Sequence, residues 1–95
     1  MKIEMWALVF SEKSPGMLYI EGEVHGHPKQ PDGKEVVTSS IIGRHGELIV
    51  TTSGNEYELG VVNPVYERMF PNAKQRLFDR IDQLGCRLGG RHDSS

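Results

Sequence analysis

Short runs of aromatic and β-branched residues separated by turn formers fill roughly the first two thirds of the chain, and a helical period replaces them afterwards. Residues 5–10 and 17–24 are two such runs, divided by Ser11-Glu12-Lys13-Ser14-Pro15-Gly16, whose Pro-Gly pair is a strong turn signal. The pattern predicts a hairpin. Residues 25–34 hold two prolines, two glycines and the turn dipeptide Asp32-Gly33, which predicts a loop. Residues 35–42 and 47–52 are β-branched runs joined through Gly43-Arg44-His45-Gly46, and residues 56–59 follow the turn Ser53-Gly54-Asn55. Tyr57 and Leu59 alternate with Glu56 and Glu58, the signature of a strand with one apolar and one wet face.

At Asn63 the period changes. Asparagine is a good N-cap and Pro64 follows at the first helical position, where its missing N–H costs nothing, so a helical turn is expected to Met69. Pro71-Asn72 restarts a helix, with Asn72 as cap and Gln75 completing a capping-box pattern. Leu77, Phe78, Ile81 and Leu84 then recur at helical spacing until Gly85 supplies a stop. The expected fold is mainly β, of α+β class: a small antiparallel β-sandwich or meander with a C-terminal helical segment. Residues 1–85 form its single domain, and 86–95 a flexible tail.

Size and charge narrow the function classes. A chain of 95 residues, 37% of them hydrophobic, has a thin core, and its single cysteine, Cys86, excludes an internal disulfide. Subunit contacts are the expected compensation. A net charge of −2 offers no global field for a DNA or RNA duplex. The residues Met1 to Trp6 lack the features of a secretory signal and no segment reaches the roughly 20 apolar residues that span a bilayer, so a cytoplasmic protein without membrane contact is expected.

Few side chains carry a chemical signal. His25-Gly26-His27 with Asp32 holds three potential metal ligands, but no fourth; the ordinary alternative is a structured loop in which His27 bonds backbone beside Pro28. Cys86 lacks an evident base and electropositive setting, which argues against a nucleophile. Thr38-Ser39-Ser40 offers hydroxyls that are also ordinary on a strand. No phosphate loop or nucleophile elbow occurs. The expectation is a non-enzyme without cofactor or metal.

The last helix is more informative. Arg76 and Arg80, four residues apart, share one face with Gln83 and border the apolar stripe. They either snorkel over the core and pair with acids such as Asp79, or aim a guanidinium pair at phosphate or carboxylate. Tyr66 and Phe70, also four apart, either join the core or present a ring face to a base.

The segments Gly22-Glu23-Val24-His25-Gly26-His27-Pro28, Pro31-Asp32-Gly33, Val37-Thr38-Ser39-Ser40-Ile41 and Thr52-Ser53-Gly54-Asn55-Glu56-Tyr57-Glu58-Leu59-Gly60 resemble a pattern of small phage proteins, most closely the first type of Thoeris anti-defence protein. The resemblance spans about Gly22 to Arg80. It implies a β-sandwich-like homo-oligomer, a hexamer being one arrangement, that acts inside the infected bacterium. Such a protein sequesters cyclic ADP-ribose isomers, and in some members cyclic oligonucleotides, without cleaving them. It also implies pockets between subunits, with aromatic side chains on the adenine and arginines on the phosphates. Carried onto this chain, Arg76 and Arg80 are the phosphate candidates, Tyr66 and Phe70 the stacking candidates, and Asn72 and Thr38 additional contacts. The amino terminus is shorter than the resemblance implies, so no interface contacts are carried over there. A protein–protein inhibitor of a defence effector, of anti-CRISPR type, is the alternative class, and a small hydrolase of the signal ranks third.

Overall fold

The computed structural model describes residues 1–13 and 15–93, the side chains of 85–93 excepted. Six strands come first: β1 (Lys2–Val9), β2 (Tyr19–His25), β3 (Lys34–Val37), β4 (Ile41–His45), β5 (Leu48–Thr51) and β6 (Glu56–Leu59). Two helices follow, α1 (Pro64–Met69) and α2 (Ala73–Asp93). The class is the expected one, mostly β with C-terminal helices. Of the sandwich and the meander the meander forms, as two antiparallel three-stranded halves joined in one mixed sheet of order β3-β2-β1-β6-β5-β4. The join is the parallel pairing of β1 with β6, in which Lys2 faces Glu58 and Ile3 faces Leu59.

The β-branched run over 35–42 divides at Thr38-Ser39-Ser40 because the chain changes partner there. The Thr38 N–H donates to Ile20 O at 2.8 Å and its hydroxyl accepts the Ile20 N–H at 3.1 Å. Two residues on, Ser40 O accepts the Thr52 N–H at 2.9 Å, while the Ile41 N–H still donates to Leu18 O at 2.8 Å. The two nominal edges of the sheet therefore meet at this corner, and the sheet curls round its core.

That core is filled by Ile3, Trp6, Ile20, Val24, Ile49, Tyr57 and Leu59 from the sheet and by Ala73, Leu77, Phe78 and Ile81 from α2. Trp6 is fully buried, and its indole N–H donates to Gly60 O at 3.1 Å, so the ring enters the core with its polar handle satisfied. A bulge in β1 between Glu4 and Ala7, with Met5 in the left-handed region at φ 53°, turns it inward. Gly22 lies opposite; a Cβ there would sit 2.7 Å from Glu4 O and 2.9 Å from Ile3 Cγ1, so only glycine fits. The Glu4 carboxylate accepts the Val61 N–H at 2.6 Å and pairs with Lys2 at 3.1 Å, which holds its carboxyl below the ordinary glutamate value.

α1 begins as its sequence predicts: Asn63 Oδ1 accepts the N–H groups of Val65 at 2.9 Å and Tyr66 at 3.3 Å, with Pro64 in the first turn. The capping box expected at α2 does not form. Asn72 adopts φ 62°, and Gln75 turns instead to Asp79, donating at 3.0 Å. The cap is Glu67 of α1, whose two carboxylate oxygens accept the N–H groups of Asn72 and Ala73, each at 3.1 Å. A carboxylate at the positive end of a long helix is a stronger acceptor for the Asn72 N–H than the Gln75 amide that the capping box would have supplied. α2 also runs past Gly85, a residue whose helix cost of about 1 kcal/mol a longer helix absorbs. Of the segment expected as a flexible tail, residues 86–93 are described as a continuation of α2, while residues 94–95 and the Cys86 side chain lie outside the described residues.

Candidate functional site

A groove of about 550 Å³ lies where the end of β1, α1 and the outer flank of α2 converge. Leu8 and Phe10 form one wall, Tyr66 and Phe70 the other, Leu77 contributes from the core, and Arg76, Asp79 and Arg80 stand along α2. The four residues named first from the helical spacing, Tyr66, Phe70, Arg76 and Arg80, thus share one site. Its volume lies within the range of small-ligand pockets, about 300–1,000 Å³.

Each wall has a local cause. Tyr66 is the second residue to which Asn63 offers its cap, which points its ring towards Trp6, with centroids 6.4 Å apart. Phe70 closes against Tyr66 at 5.1 Å in a tilted pair, the geometry that ring quadrupoles favour. Phe70 and Phe10 remain 42% and 59% exposed, so each still offers a ring face to a ligand.

The arginines are held without being neutralised. Arg76 donates its Nε–H to Pro71 O at 2.8 Å, a bond that does not use its terminal nitrogens. The Arg80 guanidinium lies 5.2 Å above the centre of the Phe10 ring, a cation–π arrangement. Among the described residues neither forms an ion pair; Asp79 instead receives the Gln75 amide. Burial pushes the Tyr66 phenol above its ordinary value, and Arg80 and Arg76 oppose that shift, so both positive charges are felt at the aromatic wall. Guanidinium forks and ring faces are the groups that anions and flat rings respectively contact.

The two additional contact candidates lie elsewhere. Thr38 is buried and its hydroxyl is used by Ile20, so it serves the sheet corner. Asn72 faces a second hollow, of about 380 Å³, shared with Glu47, Glu67 and Lys74. Sequence reasoning passed over Leu8 and Phe10. The available signal was an aromatic residue ending a strand run immediately before a turn, with no later strand position to bury it.

The loop with His25, His27 and Asp32 is held by its own hydrogen bonds. His27 Nδ1 accepts the Lys29 N–H at 3.0 Å and Asp32 accepts the Gly26 N–H at 2.9 Å, the structured loop foreseen as the ordinary alternative. Among the described residues no three His, Cys, Asp or Glu side chains are placed to hold a metal ion, and no helix is long and apolar enough to cross a membrane. The molecule is thus a small α+β protein with an arginine-rimmed aromatic groove. No family model, curated protein or solved structure matches the chain.

Proposed function

We propose that this chain is a non-catalytic binding protein that sequesters a cyclic nucleotide signal in the groove between β1, α1 and α2. The observation that supports the reading is the pair of guanidinium groups, Arg76 and Arg80, without acidic partners among the described residues and set beside Phe10, Tyr66 and Phe70. On a chain of net charge −2, a rim with two positive charges against one negative selects an anion locally. The flat faces of Phe10 and Phe70 suit a purine, and phosphate suits the planar forks. The resemblance to phage anti-defence proteins narrows this class to cyclic ADP-ribose isomers, held intact. A homo-oligomer would cover the groove's open side and the exposed rings.

Calorimetric titration with cyclic ADP-ribose isomers made by a TIR-domain enzyme tests this directly. Arg76→Ala and Arg80→Ala should each weaken binding about tenfold or more, the size of one lost charge-assisted contact. Normal binding by both variants would move the site elsewhere. The alternative reading, a protein–protein inhibitor, draws on the exposed apolar side chains of Val65 and Met69 on α1. It predicts a stable complex with an effector protein and a melting temperature that nucleotides leave unchanged.

A further inference from the structure

The groove's aromatic wall and its cationic rim belong to different helices, and those helices are secured very differently. α2 inserts Ala73, Leu77, Phe78 and Ile81 into the core. α1 is six residues long and has no buried residue. Its Tyr66 ring leans on Trp6, but core packing alone does not fix where α1 sits relative to α2. Between them lies the elbow Phe70-Pro71-Asn72, where Asn72 takes φ 62°, a left-handed turn that asparagine tolerates and that breaks the helix between α1 and α2.

Glu67 spans that elbow. From α1 it accepts the N–H groups of Asn72 and Ala73 with its two oxygens, both at 3.1 Å, and Arg76 closes the same turn from the other side through its bond to Pro71 O at 2.8 Å. Glu67 lines the smaller hollow and is absent from the groove lining, so a ligand in the groove would not touch it. We infer that Glu67 is a positioning residue: its carboxylate latches α1 to the start of α2 and so sets the span between the Tyr66–Phe70 wall and the Arg76–Arg80 rim. This rests on the groove being the ligand site. It assigns affinity to a residue outside the groove, because a flat ring bearing a phosphate is gripped at both ends only when wall and rim are correctly spaced.

Two readouts keep the latch and the binding function separable. In the protein without ligand, partial burial raises the Tyr66 phenol above its ordinary value. Release of α1 exposes the phenol, so its titration in Glu67→Ala should fall towards that of free tyrosine, read as the ultraviolet difference between Glu67→Ala and Glu67→Ala/Tyr66→Phe. In the second readout, affinity for TIR-generated cyclic ADP-ribose should drop at least tenfold in Glu67→Ala, with the melt still cooperative. Glu67→Gln, which keeps one accepting oxygen and serves if the alanine variant does not fold, should fall between wild type and Glu67→Ala in both. An unchanged Tyr66 titration in both variants would overturn the latch. If the wild-type protein binds no cyclic ADP-ribose, the nucleotide reading fails while the titration still decides the latch.

Discussion

On one flank of α2, Arg44 reaches across from β4 and is fully engaged. Its Nε and Nη2 grip the two oxygens of Asp82, each at 2.8 Å, Nη1 donates to Gly46 O at 2.7 Å, and the guanidinium lies 4.6 Å over the Phe78 ring. Lys74 adds an ion pair with Glu47 at 3.0 Å on the same side. On the other flank, Arg76 and Arg80 form no ion pair among the described residues and border exposed rings. At 100° per residue, positions 74, 78 and 82 fall on one side of the core stripe 73-77-81-84 and positions 76 and 80 on the other. The same residue type therefore closes the structure on one side, where Asp82 pairs with it, and on the other forms no ion pair among the described residues although Asp79 lines the same groove.

The largest effect should come from the stripe that both flanks share. Leu77→Ala removes a side chain that is 1% exposed and also lines the groove, so it should cost about 2–5 kcal/mol in chemical denaturation and abolish nucleotide binding as well. Arg44→Ala sharpens the contrast: it should lower the melting temperature yet leave nucleotide affinity within about twofold, since the affected flank does not line the groove. A loss of binding equal to that of Arg80→Ala would merge the two flanks.

Acid provides a gentler test. Hydrogen bonds from Arg44 hold the Asp82 carboxyl below its ordinary value, and the Val61 N–H with Lys2 does the same for Glu4. A carboxyl depressed in the folded state contributes stability above its unfolded pKa, and that contribution is lost as pH falls through the folded value. Melting temperature should therefore decline below about pH 4, where free carboxylates titrate. Asp82→Asn should shallow that decline without changing nucleotide affinity at neutral pH. An unaltered acid limb would show that the Arg44 contact carries no pH-dependent stability.

What the sequence disclosed follows the range of the interactions. The hairpin at Pro15-Gly16, the start of α1 at Asn63-Pro64 and the pairing of sides along α2 are set within a few residues, and each is visible in local pattern. The parallel join of β1 to β6 is not, because Ile3 and Leu59 carry no local sign of one another. The capping of α2 was misassigned for a related reason. Asn72 and Gln75 fit a capping box by spacing, but Glu67 of the preceding helix takes the Asn72 N–H that Gln75 would have accepted, and that of Ala73 as well. Four groove residues were legible as two i, i+4 pairs; that Phe10 would face them depended on where the end of β1 lies against α2. Thr38 looked like a free hydroxyl because nothing nearby announces that Ile20 will use it.

The most direct measurement is retention. Wild-type protein, Arg44→Ala and the double variant Arg76→Ala/Arg80→Ala are each mixed with a TIR-generated cyclic ADP-ribose isomer, freed of unbound ligand and heat-denatured, and the released compound is identified by chromatography. Sequestration in the groove predicts intact isomer from wild type and Arg44→Ala and almost none from the double variant. No isomer from wild type, equal release from the double variant, or a converted product would contradict it.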